Sequence, residues 1–120
     1  MNKTIAELQK ECYTHSVDSG WYTDLKTGKP KEVNVAEKLC LIHSEVSEAM
    51  EGYRKNLMDD KLPHRSMIEV ELADTVIRVF DLCGHLGLDL EGAIEEKLKY
   101  NQSRADHKLE NRLAEGGKKF

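Results

Sequence analysis

From Ser66 to Gly84 the chain is apolar at Met67, Ile68, Val70, Leu72, Ala73, Val76, Ile77, Val79, Phe80, Leu82 and Cys83. At about 100° per residue these positions cover most of a helix's circumference, leaving Glu71, Asp74, Arg78 and Asp81 as one narrow polar stripe. A helix that is apolar nearly all round is a buried one. The stripe therefore lies in the interior, where ionised carboxylates without a partner are costly or take up protons. Arg78 can neutralise one of them, being seven residues after Glu71 and four after Asp74 on the same stripe. The remainder call for cations from another helix or for a metal.

The rest of the chain carries the same helical period, and the pattern predicts an all-α fold of four helices with no run of strands. Helix 1 starts at the capping box Thr4-x-x-Glu7, carries Ile5, Leu8, Cys12 and Val17 on one side, and ends near Gly20. A loop to about Val33 holds Trp21 beside Tyr22 and the turn signal Thr27-Gly28-Lys29-Pro30. Helix 2 opens at the cap Asn34-x-x-Glu37 and runs to about Arg54, with an apolar stripe of Leu39, Ile42, Val46, Ala49, Met50 and Tyr53. Lys55 to Arg65 is polar and broken by Pro63, helix 3 begins at Ser66-x-x-Glu69, and helix 4 is capped by Asp89 and runs to about Arg104. Residues 1–107 are expected to form a single domain. Residues 108–120 form a charged tail that either extends the last helix or frays.

Four carboxylates stand out within this frame: Glu45 and Glu48 on helix 2, Glu71 and Asp74 on helix 3, each pair three residues apart and so on one helix face. With 22 acidic residues in 120, a single such pair is most simply a solvated face. Two considerations favour more than that. The helix 3 pair belongs to the buried stripe, and Glu45 sits at the edge of the helix 2 stripe, placed to point sideways into a groove. Carboxylates on facing helices can surround a hard divalent cation with oxygen ligands, with substrate phosphates completing the shell, as Mg²⁺ requires.

Composition narrows the function classes. One domain is the size prior for 120 residues, and a net charge of −4 with a pI near 5.7 argues against nucleic-acid binding by bulk electrostatics. No apolar run approaches a membrane span and the N-terminus has no uninterrupted apolar region, which points to the cytoplasm. Cys12, Cys40 and Cys83 are odd in number and fall within helical patterns, so they are expected to be reduced core thiols. That placement disfavours a zinc site built from Cys40-x-x-His43 and Cys83-x-His85. His15 and His43 are expected to be structural or surface residues. Lys97, Asn101 and Arg104, spaced i, i+4, i+7 on helix 4, offer donors for phosphate, as do Arg54 and Lys55 after the acidic segment of helix 2. Taken alone, each of these groups is a solvated face.

The order Glu45-x-x-Glu48, 22 intervening residues, Glu71-x-x-Asp74, then KLKYNQSR on a later helix resembles the MazG-like all-alpha nucleoside triphosphate pyrophosphohydrolases. The resemblance covers roughly residues 34–107 and implies a four-helix MazG-like bundle assembled as a homodimer or homotetramer. It further implies that Glu45, Glu48, Glu71 and Asp74 bind Mg²⁺, with Mn²⁺ as a substitute. Lys97 and Asn101, with Arg104 and Arg54, would hold triphosphate oxygens. The implied reaction cleaves a nucleoside triphosphate between the α and β phosphates to a monophosphate and pyrophosphate, in the service of nucleotide-pool house-cleaning. Glu48 is the expected general base, and Lys97 and Arg104 the groups that offset charge on the leaving pyrophosphate. Trp21 either stacks on the nucleobase or plugs one end of the bundle.

Helix 3 bears on assembly as well, since three short companions can scarcely cover a surface that is apolar nearly all round. A partner subunit is expected to cover the remainder. Two other classes use acidic helices. A di-iron bundle wants Glu-x-x-His pairs, which the sequence lacks. The stronger rival is a catalytically inactive regulatory or interaction module whose acidic stripe binds a basic partner.

Overall fold

The computed structural model describes residues 1–104, 106 and 108–120. They form five α-helices and no named strand: α1 (Ile5–Asp18), α2 (Val35–Arg54), α3 (Met67–Leu86), α4 (Leu90–Ser103) and α5 (Leu109–Leu113). The fold is all-α, as the hydrophobic period predicts. None of the described helices is long and apolar enough to cross a membrane. The helices fall into two compact units, Met1–Leu88 and Asp89–Phe120.

Local chemistry sets the helix boundaries. Thr4 and Ser66 each accept from the backbone N–H three residues on, while Glu7 and Glu69 return the bond to the cap backbone, so α1 and α3 both begin with a reciprocal capping box. The Asn34 and Asp89 side chains cap α2 and α4 by accepting from Glu37 and Gly92. α3 ends at Gly87, whose φ of 66° is the left-handed conformation that costs glycine least. All four of these helices start where the sequence places them. The tail neither extends α4 nor frays throughout: it carries the separate short helix α5.

In the first unit α3 packs against both α1 and α2. Two close approaches fix these contacts. A Cβ on Gly52 of α2 would lie 2.7 Å from Met67 Cγ, and one on Gly84 of α3 would lie 2.5 Å from Tyr13 Cβ of α1. Gly52 meets Met67 and Glu45 meets Arg78, so α2 and α3 run antiparallel. The loop between them is closed by a bridge from Met58 to Ser66 and by hydrogen bonds from Asp59 N to the Arg65 carbonyl and from Met67 N to the Leu57 carbonyl.

The packed face of α2 differs from the expected one. Its buried positions are Glu45, Ala49 and Gly52, spaced i, i+4, i+7, whereas Leu39, Val46, Met50 and Tyr53 of the apolar stripe are exposed. The reason is steric, because the small residues Ala49 and Gly52 admit α3 at a distance that large side chains would prevent. α3 departs from expectation in the same way. Glu71, Leu82 and Cys83 are buried, while Leu72, Val76 and Ile77 stay about half exposed. The cysteines are all free, but only Cys83 is a core thiol; Cys12 is half-buried and Cys40 is exposed, since it lies on the outer side of α2.

The second unit holds α4 and α5. There Arg104 bonds to Asp106, and Arg112 donates to the carbonyls of Lys118 and Lys119.

Replacing Gly84 with alanine forces its methyl group into Tyr13, and the variant is expected to lose about 1–3 kcal/mol of stability in urea unfolding. Ser66→Ala removes the α3 cap and is expected to cost about 1 kcal/mol in the same assay. A Gly84→Ala protein as stable as the parent would show that α1 does not pack on α3 as described.

Candidate metal centre

The antiparallel pairing of α2 and α3 brings the two acidic pairs together. Carboxylate oxygens of Glu45, Glu71 and Asp74 lie within 4.8 Å of one another. Glu45 and Glu71 are 8% and 9% exposed, and Asp74 is half-buried. Glu48 is exposed and stands outside this group of three, close enough for its charge to act on Glu71. The three-residue spacing within each pair turns all four side chains toward the shared seam.

Arg78 enters the group from α3, its Nε donating to Glu45 Oε1 at 2.8 Å. The Arg78 charge acts on Asp74 of its own helix as expected, while its direct hydrogen bond is the one across the seam. Seven or four residues along one helix suit a guanidinium for a neighbour's carboxylate, but Glu45 on the facing helix is nearer its fork. One guanidinium does not balance four carboxylates.

The imbalance registers in proton affinity. Burial, a hydrogen bond that the protonated acid makes with Glu45, and the charge of Glu48 push the Glu71 carboxyl up to about 8. Burial and the Glu45 charge raise Asp74 as well, against the pull of Arg78. Glu71 Oε2 is buried and has no hydrogen-bond partner among the described residues. The carboxylates nearest to it, Glu45 and Asp74, are themselves acceptors, and a proton or a cation would satisfy that oxygen. An all-oxygen donor set of this kind suits a hard divalent ion.

The sequence reading missed one further carboxylate. Asp59, 6% exposed in the loop before α3, accepts from the backbone N–H groups of Lys61 and Leu62 and raises the proton affinity of Asp74. Its signal was an aspartate opening a turn two residues before Lys61 and four before Pro63, which is Asx-turn chemistry.

The remaining predicted residues fall in different places. Trp21 is 67% exposed and so plugs nothing in this chain; the plug reading is overturned. It lines a cavity of about 540 Å³ that also touches Glu45, Asp74 and Arg78. Arg54, at the end of α2, is bonded to Glu51 at 3.1 Å. Lys97 and Asn101 lie on α4 in the second unit, the Lys97 ammonium 4.8 Å from the centre of the Tyr100 ring. Arg104 is the first residue past the end of α4, with extended backbone, and pairs with Asp106, so the expected Lys97, Asn101, Arg104 face stops one residue short of Arg104. His15 and His43 are both exposed.

Known proteins add nothing to this geometry. The chain matches no protein-family model, no curated protein and no solved structure.

The Glu71 proton carries a stability prediction. The native state holds it up to about pH 8 and the ordinary carboxylate releases it near 4.5, so the native state binds more protons across that window and stability falls as pH rises through it. In the presence of EDTA the melting temperature is expected to drop between pH 5 and pH 8, and Glu71→Gln to flatten the slope. MgCl₂ is expected to raise it more at pH 8 than at pH 5. A metal response of equal size at both pH values would separate Glu71 from the ion.

Proposed function

We propose that the protein is a metal-dependent nucleoside triphosphate pyrophosphohydrolase, cleaving between the α and β phosphates to give a monophosphate and pyrophosphate. The observation that carries the reading is the buried, unpartnered Glu71 Oε2 among the carboxylates of Glu45, Glu48 and Asp74. The resemblance of the two acidic pairs to the MazG-like enzymes supplies the reaction. Their joint placement on one seam supports it.

Glu45, Glu71 and Asp74 would hold Mg²⁺, with Mn²⁺ as substitute. When bound, the cation neutralises phosphate oxygens and lowers the pKa of a coordinated water. Glu48, exposed and outside the group of three, is free to accept the proton from the water that attacks phosphorus. Arg78 holds Glu45 in place through their 2.8 Å bond. Lys97 and Asn101 hold phosphate oxygens on the strength of the resemblance alone. House-cleaning of the nucleotide pool and a cytoplasmic setting belong to the same reading.

The rival module, in which the acidic stripe meets a basic partner, needs these carboxylates on an outer surface. Burial of Glu45 and Glu71 in the seam weighs against it.

Assembly is part of the proposal. The exposed face of α2 carries Leu39, Val46, Met50 and Tyr53, and α3 adds Leu72 and Val76. A contiguous apolar surface of this kind marks an association site, and a second copy of the chain would cover it in a homodimer, the base from which a tetramer would form.

Ion-exchange analysis of a panel of ribo- and deoxynucleoside triphosphates is expected to yield monophosphate and pyrophosphate in Mg²⁺ and neither in EDTA. Glu48→Gln is expected to lower kcat by about 10²–10⁴-fold while leaving nucleotide binding in place. Absence of turnover across the panel would sink the enzymatic reading. Light scattering coupled to gel filtration is expected to give twice the chain mass for the parent protein and a monomer for Met50→Asp.

A further inference from the structure

The cavity that opens beside the acidic seam has a second end, and its chemistry is unlike the first. There Asp81 accepts from the Ser16 hydroxyl at 3.1 Å on one oxygen and from the Tyr22 hydroxyl at 2.9 Å on the other. A carboxylate oxygen has two lone-pair sites, so each keeps one uncommitted. Both hydroxyl protons are spent on Asp81. That wall therefore presents two parallel acceptors, with the charge held in place by Ser16, which is buried in α1, and by Tyr22, which is buried in the following loop.

Two neighbours complete the pattern. The Lys38 ammonium, 4.9 Å from the centre of the Tyr22 ring, lines the same cavity and adds a donor. The exposed indole of Trp21 stands at the wall as a flat surface on which a heterocycle can stack. A volume of about 540 Å³ lies in the ordinary range for small-molecule sites.

We infer that this end of the cavity is a base-recognition subsite that selects a guanine nucleotide, with Asp81 as the specificity-determining residue. Guanine presents two adjacent N–H donors, at N1 and N2, followed by the O6 acceptor. Asp81 takes the two donors and Lys38 meets O6, while Trp21 stacks on the purine. Adenine turns an acceptor, N1, toward the carboxylate and loses one bond to repulsion. Hypoxanthine keeps N1–H and lacks the second donor. The inference rests on the nucleotide reading above, and it names the substrate which that reading leaves open.

Isothermal titration with the α,β-imido analogues of GTP, ITP and ATP in Mg²⁺ tests the subsite apart from turnover. Hydrogen bonds to a charged acceptor predict about tenfold or more tighter binding for the guanine analogue than for the adenine one, with hypoxanthine between them. Asp81→Asn, which exchanges one acceptor for a donor, is expected to abolish that ranking. Should Asp81→Asn fail to fold, Trp21→Leu at an exposed position is expected to weaken all three analogues. Equal affinities in the parent protein, or a ranking unchanged in Asp81→Asn, would overturn the proposal and reduce Asp81 to a tie between α1 and α3. Guanine-selective binding without hydrolysis of GTP would preserve the subsite and remove the pyrophosphohydrolase reading. Hydrolysis indifferent to the base would do the reverse, and no binding of any analogue would overturn the subsite.

Discussion

Two carboxylates packed between helices constrain the rest of the molecule. Glu45 and Glu71 occupy positions on α2 and α3 that an ordinary helix pair would fill with leucine or valine, and a single guanidinium, that of Arg78, is bonded among them. Such a seam stays closed only if a proton or a cation balances the charge, because desolvated like charges repel strongly. It also displaces apolar side chains, and the large residues of α2 are turned outward where water meets them. The acidic cluster and the exposed apolar face of α2 thus trace to one choice of residues at one interface.

The first unit compensates elsewhere. Tyr13 and Tyr22 meet edge to face at 5.2 Å, and Tyr22 stacks on His85 at 4.6 Å. The Tyr13 hydroxyl and His85 Nδ1 share a 3.3 Å hydrogen bond, and Gln9 bonds to the Leu88 carbonyl. These contacts tie α1 and its loop to the C-terminal half of α3, away from the acids. Burial and the bond to Asp81 raise the proton affinity of the Tyr22 hydroxyl, so it remains a donor at any physiological pH. One end of α3 is held by aromatic packing and the other by charge balance.

Much of this was legible in the chain because its causes are local. Thr4, Asn34, Ser66 and Asp89 mark helix starts through bonds spanning three residues, and the pairing of acids three apart needs no tertiary knowledge. Facing was harder to read. The period of α2 locates an apolar stripe but does not say that Ala49 and Gly52, by being small, hand the inner side to Glu45. Arg78 had partners in reach on its own helix, and its choice of Glu45 depends on the antiparallel alignment. Asp59 was hidden because a turn aspartate looks like any polar loop residue until its backbone bonds are known. Arg104 falls one residue past the helix end, since helical spacing continues on paper after the helix stops.

The hairpin between α2 and α3 acts as a gauge. Because the helices run in opposite directions, each step forward on α2 is matched by a step back on α3, which brings Glu45 to both Glu71 and Asp74. The bridge from Met58 to Ser66 and the bonds around Asp59 set the starting mark for that count. The 22 residues separating the acidic pairs are therefore a mechanical length: the chain can vary in its side chains along that stretch far more freely than in its number of residues.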